Sequence, residues 1–79
     1  MFKMIEKLKE MIVNYVEVDA AEINEGSRFA EDLGFNSYDY MCMLGDLEDE
    51  LDVEVQEAEA FKRKTVGELA EYLEGLANG

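Results

Sequence analysis

The sequence predicts an all-α fold: a small four-helix bundle of three main helices and one short one, with a long loop between the first and second helices. Three observations carry this. Apolar residues recur at intervals of three and four in three separate stretches, the period of a helix with one buried face. Two of those stretches open on helix-start signals, Asn36 followed by Asp39, and the run Thr65-Val66-Gly67-Glu68. No two segments form a credible pair of strands.

The first helix is expected over residues 2–16, where Phe2, Ile5, Leu8, Met11, Ile12, Tyr15 and Val16 make one stripe. Residues 17–36 lose that period and carry Asp19, Asn24, Gly26, Ser27, Gly34 and Asn36, the composition of a loop. Isolated apolar residues, Val18, Ile23, Phe29 and Leu33, would pin it to the core, and Asp19 with Glu22 is spaced to cap a single short turn. The second helix is expected from about Ser37 to Leu51, with Tyr40, Met43, Leu44, Leu47 and Leu51 inside, Asn36 as its N-cap and Asp39 as a favourable first-turn charge. Val53 and Val55 alternate with acids in a short extended link, and residues 56–62 suggest a short third helix with Ala58, Ala60 and Phe61. In the capping box, Thr65 would reach the amide of Glu68 while Glu68 reaches back. It opens a fourth helix whose inner side holds Val66, Leu69, Ala70, Tyr72, Leu73 and Leu76.

Seventy-nine residues are expected to make one domain over 1–79, with a small core and modest stability. A hydrophobic content of 48% is that of a folded chain. Twenty acids against seven bases leave a net charge of −13. Nucleic acid and anionic membrane both call for a basic face, so neither is an expected partner. A protein with a basic patch is. Repulsion among the carboxylates should weaken the fold at low salt, and carboxylate pairs around Glu31–Asp39 and Asp46–Glu54 are spaced to hold a divalent ion weakly. Cys42 stands alone, so no internal disulfide forms, which fits a reducing compartment. The N-terminal stretch is broken by lysines and glutamates and does not read as a signal peptide; a cytoplasmic location is expected.

Catalytic machinery is missing from the residue inventory. There is no histidine, which removes the commonest general base and the Ser–His and Cys–His pairs. One cysteine without histidine does not make the usual zinc sites, and neither a phosphate-binding GxxxxGK[ST] loop nor an EF-hand loop is present. What stands out is Ser37. It follows the turn Glu31-Asp32-Leu33-Gly34-Phe35-Asn36 and sits on the first residue of a helix, where unpaired N–H groups and the dipole favour a bonded phosphate. A hydroxyl so placed, without a base, points to a carrier site. The acids Asp39, Asp46, Glu48, Asp49, Glu50, Asp52 and Glu54, with no Lys or Arg between Arg28 and Lys62, offer one continuous acidic face. Tyr38 and Met41 are candidates for an apolar patch beside Ser37, Cys42 lies one residue off the buried stripe, and Lys62-Arg63-Lys64 is the main basic cluster.

The runs Phe29-Ala30-Glu31-Asp32-Leu33-Gly34-Phe35-Asn36-Ser37-Tyr38-Asp39, Leu47-Glu48-Asp49-Glu50-Leu51-Asp52-Val53-Glu54-Val55 and Thr65-Val66-Gly67-Glu68-Leu69 resemble the acyl carrier proteins over essentially the whole chain. The resemblance implies that Ser37 accepts 4′-phosphopantetheine from coenzyme A through a phosphopantetheinyl transferase. It implies that the arm's thiol carries acyl groups as thioesters, and that helices two and three line a cleft for an apolar acyl chain. It further implies a non-catalytic monomer that docks on acyl-transferring and synthase enzymes through Asn36, Tyr38, Asp39, Met41, Glu48, Asp49 and Val55, and a role in fatty-acid or polyketide synthesis. The alternatives are a carrier of aminoacyl or peptidyl groups and an acidic interaction module without a prosthetic group. The chain departs from the family pattern at Asn36 (commonly aspartate), Tyr38 (leucine), Cys42 (glutamate), Gly45 (often methionine) and Arg63 (isoleucine, whose space Phe61 is expected to fill).

Overall fold

The computed structural model describes residues 2–78, with side chains from Met4 onward. Four α-helices follow one another: α1 Phe2–Ile12, α2 Ser37–Leu51, α3 Glu57–Ala60 and α4 Val66–Asn78. α1 packs against α4 and α2. The core is the sum of their inner stripes. Leu8 and Ile12 come from α1, Met43 and Leu47 from α2, Ala60 from α3, and Val66, Leu69 and Leu73 from α4; each is fully buried or nearly so. Burying a large aliphatic side chain contributes about 1.5–3 kcal/mol, so these positions dominate the stability.

α1 is shorter than its periodicity predicts. It ends at Ile12, and Val13–Val16 continue as a turn in which Asn14 and Tyr15 donate to Met11 and Ile12 three residues back, at 3.1 and 2.9 Å. Val13 and Asn14 are weak helix formers, and tightening to i→i+3 bonds is a common way for such an end to close. Tyr15 and Val16 still pack on the core. The burial expected of Phe2 lies outside the described side chains.

The loop between α1 and α2 is anchored rather than slack. The short turn expected after Asp19 forms as a 3-10 helix, Ala20–Glu22, held by the Asp19 carbonyl and not by its carboxylate. Ile23, Phe29, Leu33 and Phe35 are buried, while Val18 packs only partly. Residues 25–29 are tied to the start of α4: Val66 donates to Ser27 O at 2.9 Å, Gly67 to Glu25 O at 2.9 Å and Phe29 to Lys64 O at 3.1 Å. One antiparallel bridge, Arg28–Thr65, is the only strand-like pairing among the described residues. A side chain at Gly67 would meet the Glu25 carbonyl at 3.0 Å, so this seam needs glycine there.

Both expected caps form. Asn36 Oδ1 accepts from Asp39 N–H at 2.8 Å. Thr65 Oγ1 accepts from Glu68 N–H at 3.2 Å, and Glu68 Oε1 accepts from the N–H groups of Lys64 and Thr65 at 2.8 and 3.1 Å. Those backbone donors hold the Glu68 carboxyl below its usual value. α2 ends at Asp52, which takes the left-handed conformation at φ 54°, a role Asp tolerates better than most residues. Tyr72 links the last two helices: its hydroxyl accepts from Gln56 N–H at 2.9 Å, and its ring lies 5.0 Å from the Arg63 guanidinium.

Candidate functional site

Ser37 is the first residue of α2, and it is exposed. The chain reaches it through Gly34, at φ 76°, which lets Phe35 turn inward and donate to Phe29 O at 2.8 Å. Burying Phe35 on one side of the turn leaves Asn36 and Ser37 on the outside. At the helix start the Asn36 side chain satisfies one orphan donor, Asp39 N–H, and its carbonyl accepts the first regular helix bond, from Tyr40 N–H. The N–H groups of Ser37 and Tyr38 have no partner within the helix. The Ser37 hydroxyl thus stands beside two backbone donors at the positive end of a 15-residue helix.

Around this point the candidate docking residues divide by environment. Tyr38 is 75% exposed and Met41 46% exposed, so neither packs in the core. A hydrogen bond with Cys42 raises the Tyr38 phenol above its ordinary value. Asp49 is exposed on the same side of α2, and Gly45 between them leaves that face open. Glu48 and Val55 are different. Glu48 Oε2 accepts from Val55 N–H at 2.7 Å, and both residues are half-buried, so they brace the link after α2. Asp39 is half-buried under the cap.

A cleft of about 170 Å³ opens next to Ser37, lined by the residues of the turn, by Tyr40, and by Phe61, Arg63 and Lys64 after α3. Its floor is a ladder of rings. Phe35 and Phe29 lie 5.5 Å apart, Phe29 and Tyr40 5.1 Å, and Tyr40 and Phe61 5.5 Å, with Tyr15 joining Phe35 at 6.2 Å on the far side. The Tyr40 hydroxyl donates to Ala60 O at 2.9 Å, fixing α3 to α2; burial pushes that phenol above its usual range. Phe61 does not vanish into the space that Arg63 leaves. It forms one wall and remains 37% exposed, while Arg63 lies over Tyr72. Arg28, also in the lining, pairs with Glu31 at 2.9 Å and Asp32 at 3.3 Å. Hydrogen bonds from Arg28, backbone first and guanidinium second, lower the Asp32 carboxyl below its ordinary value.

Sequence reasoning located Ser37 and its cap but not the cationic side of the cleft. Arg28 and the Arg63–Lys64 pair lie 35 residues apart, and the Arg28–Thr65 bridge with the backbone bonds beside it brings them together. It also missed the hydrogen bond from Tyr15 to Asp46, which ties the turn after α1 to the middle of α2 and holds the phenol up at about 12.

These features fit a phosphate ester at an exposed hydroxyl with a group-sized recess beside it. The family model described as the phosphopantetheine attachment site matches residues 6–73. The chain belongs to the acyl carrier protein family. It is 40% identical over 70 residues to an acyl carrier protein of Clostridium perfringens, covering 89% of this chain and 92% of that one. Identity to the Wolinella succinogenes acyl carrier protein is 35% over 71 residues, covering 90% and 93%. Among solved structures, the acyl carrier protein of Enterococcus faecalis superposes with a TM-score of 0.80 at 26% identity, covering 94% of each chain. Family membership makes this chain a carrier without catalysis of its own, with a covalently attached phosphopantetheine as its prosthetic group and enzymes of acyl transfer and synthesis as its partners. Among the described residues no helix is long and apolar enough to cross a membrane.

Proposed function

We propose that Ser37 is the attachment point, and that residues 1–79 act as one monomeric cytoplasmic carrier domain for fatty-acid or polyketide type synthesis. The observation that carries the reading is the Ser37 hydroxyl itself, exposed at the first turn of α2 beside two N–H groups without helical partners. The chain has one other serine, Ser27, which is 7% exposed and accepts from Asn24 N–H at 3.0 Å, so no enzyme reaches it without unfolding the loop.

Attachment is a phosphoryl transfer. The Ser37 Oγ–P bond forms as the pyrophosphate bond of coenzyme A breaks; adenosine 3′,5′-bisphosphate leaves, and the hydroxyl proton passes to a base that the transferase must supply. This chain's own contribution is positional. Asn36 holds the helix start, and the N–H groups of Ser37 and Tyr38 with the dipole stabilise the phosphodiester once formed. When bound, the group supplies a thiol on a flexible arm, which carries acyl chains between enzymes. Exposed Tyr38 and Met41, with Asp49 further along α2, supply the apolar and acidic parts of a face complementary to a basic enzyme patch. The single thiol, Cys42, supports a reducing compartment.

Incubation with coenzyme A and a phosphopantetheinyl transferase tests this by intact mass. The chain should gain one phosphopantetheine, and Ser37→Ala should gain none while keeping its helical circular dichroism. Modification of Ser37→Ala, or its absence from the native chain, would overturn the assignment. Stable loading with an aminoacyl group in place of an acyl group would move the carrier to the peptide-synthesising class.

A further inference from the structure

The charge around Ser37 is of two signs. On the α2 side it is acidic: no Lys or Arg falls between Arg28 and Lys62, and Asp49, Glu50, Asp52 and Glu54 all face solvent. On the other side Lys62, Arg63 and Lys64 follow one another, three of the seven bases of the chain, and the last two line the cleft together with Ser37. In so acidic a molecule a cation is expected to offset a neighbouring carboxylate. Arg28 does so with Glu31 and Asp32, and Lys62 with Glu59 at 3.3 Å. Lys64 and Arg63 do not. Lys64 is exposed and makes no ion pair among the described residues; Glu68, four residues on, is turned onto the backbone N–H groups of Lys64 and Thr65. Arg63 lies over the Tyr72 ring at 5.0 Å; its field reaches Glu68, but no ion pair forms. Phe61, 37% exposed, adds an apolar contact beside them.

An enzyme face that is basic throughout would be drawn to α2 and then repelled by Lys64 and Arg63 as it closed on Ser37, because like charges brought together across an interface are costly. We infer that residues 61–64 form a second docking edge, and that the transferase acting on Ser37 is acidic where it covers this edge and basic where it covers α2. The inference rests on the Ser37 reading and adds to it the sign of the partner's second contact. A pattern of one sign attracts a partner without fixing its rotation about Ser37. A pattern of two signs admits one orientation, so the gain is in register as well as in attraction.

The test turns on a reversal of sign. Lys64→Glu and Lys7→Glu each lower the net charge by two from −13, and Lys7 is exposed on α1, outside the cleft lining. If attraction to a basic face were all that mattered, both would speed modification. Here Lys7→Glu should be modified at least as fast as the native chain. Lys64→Gln should lower kcat/KM for a phosphopantetheinyl transferase that loads the native chain by about two- to fivefold, the size of one exposed ion pair. Lys64→Glu should lower it further. The loss should lie in KM for the carrier with kcat held, and should close as NaCl rises. Lys64 binds the fold through its backbone N–H and C=O, which substitution leaves in place, so the melting temperature should change little. Titrating the 15N-labelled chain with the transferase in the absence of coenzyme A should shift amide resonances at 61–64 as well as along α2. The inference falls if Lys64→Glu and Lys7→Glu behave alike, if the loss persists undiminished at high salt, or if only α2 resonances shift. A native chain that gains no mass would instead remove the Ser37 reading beneath it.

Discussion

Glycines show how differently one residue type acts at three positions. Gly34 is in the left-handed region at φ 76° with open space around it, so Gly34→Ala is opposed by backbone conformation alone. It should cost about 1–2 kcal/mol and lower the melting temperature by several degrees. Gly45 has ordinary helical backbone on an exposed face and nothing within 4 Å of an added Cβ. Gly45→Ala should therefore stabilise, by about 0.5–1 kcal/mol in urea unfolding. Gly67 meets the Glu25 backbone, and Gly67→Ala should weaken the seam between the loop and α4. Destabilisation by Gly45→Ala would mean that α2 is not a regular helix there.

At the scale of elements, polar side chains fix the starts of α2 and α4, Asn36 on the one and Thr65 with Glu68 on the other. The Glu68 carboxyl is lowered in the folded state by the N–H groups of Lys64 and Thr65. A lowered folded value means that the carboxylate's contribution is fully present above the ordinary carboxylate range, near 4.5, and is lost as pH falls through the folded value. The stability difference between native chain and Glu68→Gln should thus be constant from pH 7 to about pH 5 and shrink below pH 4. A difference that grows on acidification would show that the carboxylate is not the capping form. On α2, Glu48 and Asp49 are adjacent in sequence but should behave differently. Glu48 holds the link at Val55, so Glu48→Gln should lower stability. Asp49 faces solvent, so Asp49→Lys should leave stability nearly unchanged while slowing modification by the transferase, chiefly through the association rate, and flattening its salt dependence.

For the whole molecule, net charge sets the terms. With 20 acids against seven bases, screening should raise the melting temperature as NaCl increases. Among the described residues, however, no three acids gather closely enough to hold a metal ion. Two of the acids expected to pair around a divalent cation are engaged elsewhere: Glu31 by Arg28 and Asp46 by Tyr15. Magnesium should then stabilise no more than NaCl at equal ionic strength. A clear excess with magnesium would show that carboxylates regroup around the ion, and indifference to all salt would remove the repulsion argument.

Much of this was legible in the residues alone. Helical periodicity and capping chemistry are local, and they placed α2, α4, both caps and Ser37 correctly. The carrier reading followed from a hydroxyl at a helix start in a chain without a catalytic base, together with the family resemblance. The end of α1 was misplaced because an apolar stripe continues through Tyr15 and Val16 whether the backbone stays helical or tightens into a turn; packing on the core satisfies it either way. Of the cleft, the family resemblance gave only its existence, between helices two and three, and not its lining. Its walls come from residues 28–37 and 61–64, joined by backbone bonds between the loop and the start of α4 that leave no mark in either segment's side-chain pattern. Local sequence determines which residues are helical and which hydroxyl is offered. Long-range backbone pairing decides which charges and rings surround that hydroxyl, because burial and proximity belong to the assembled chain.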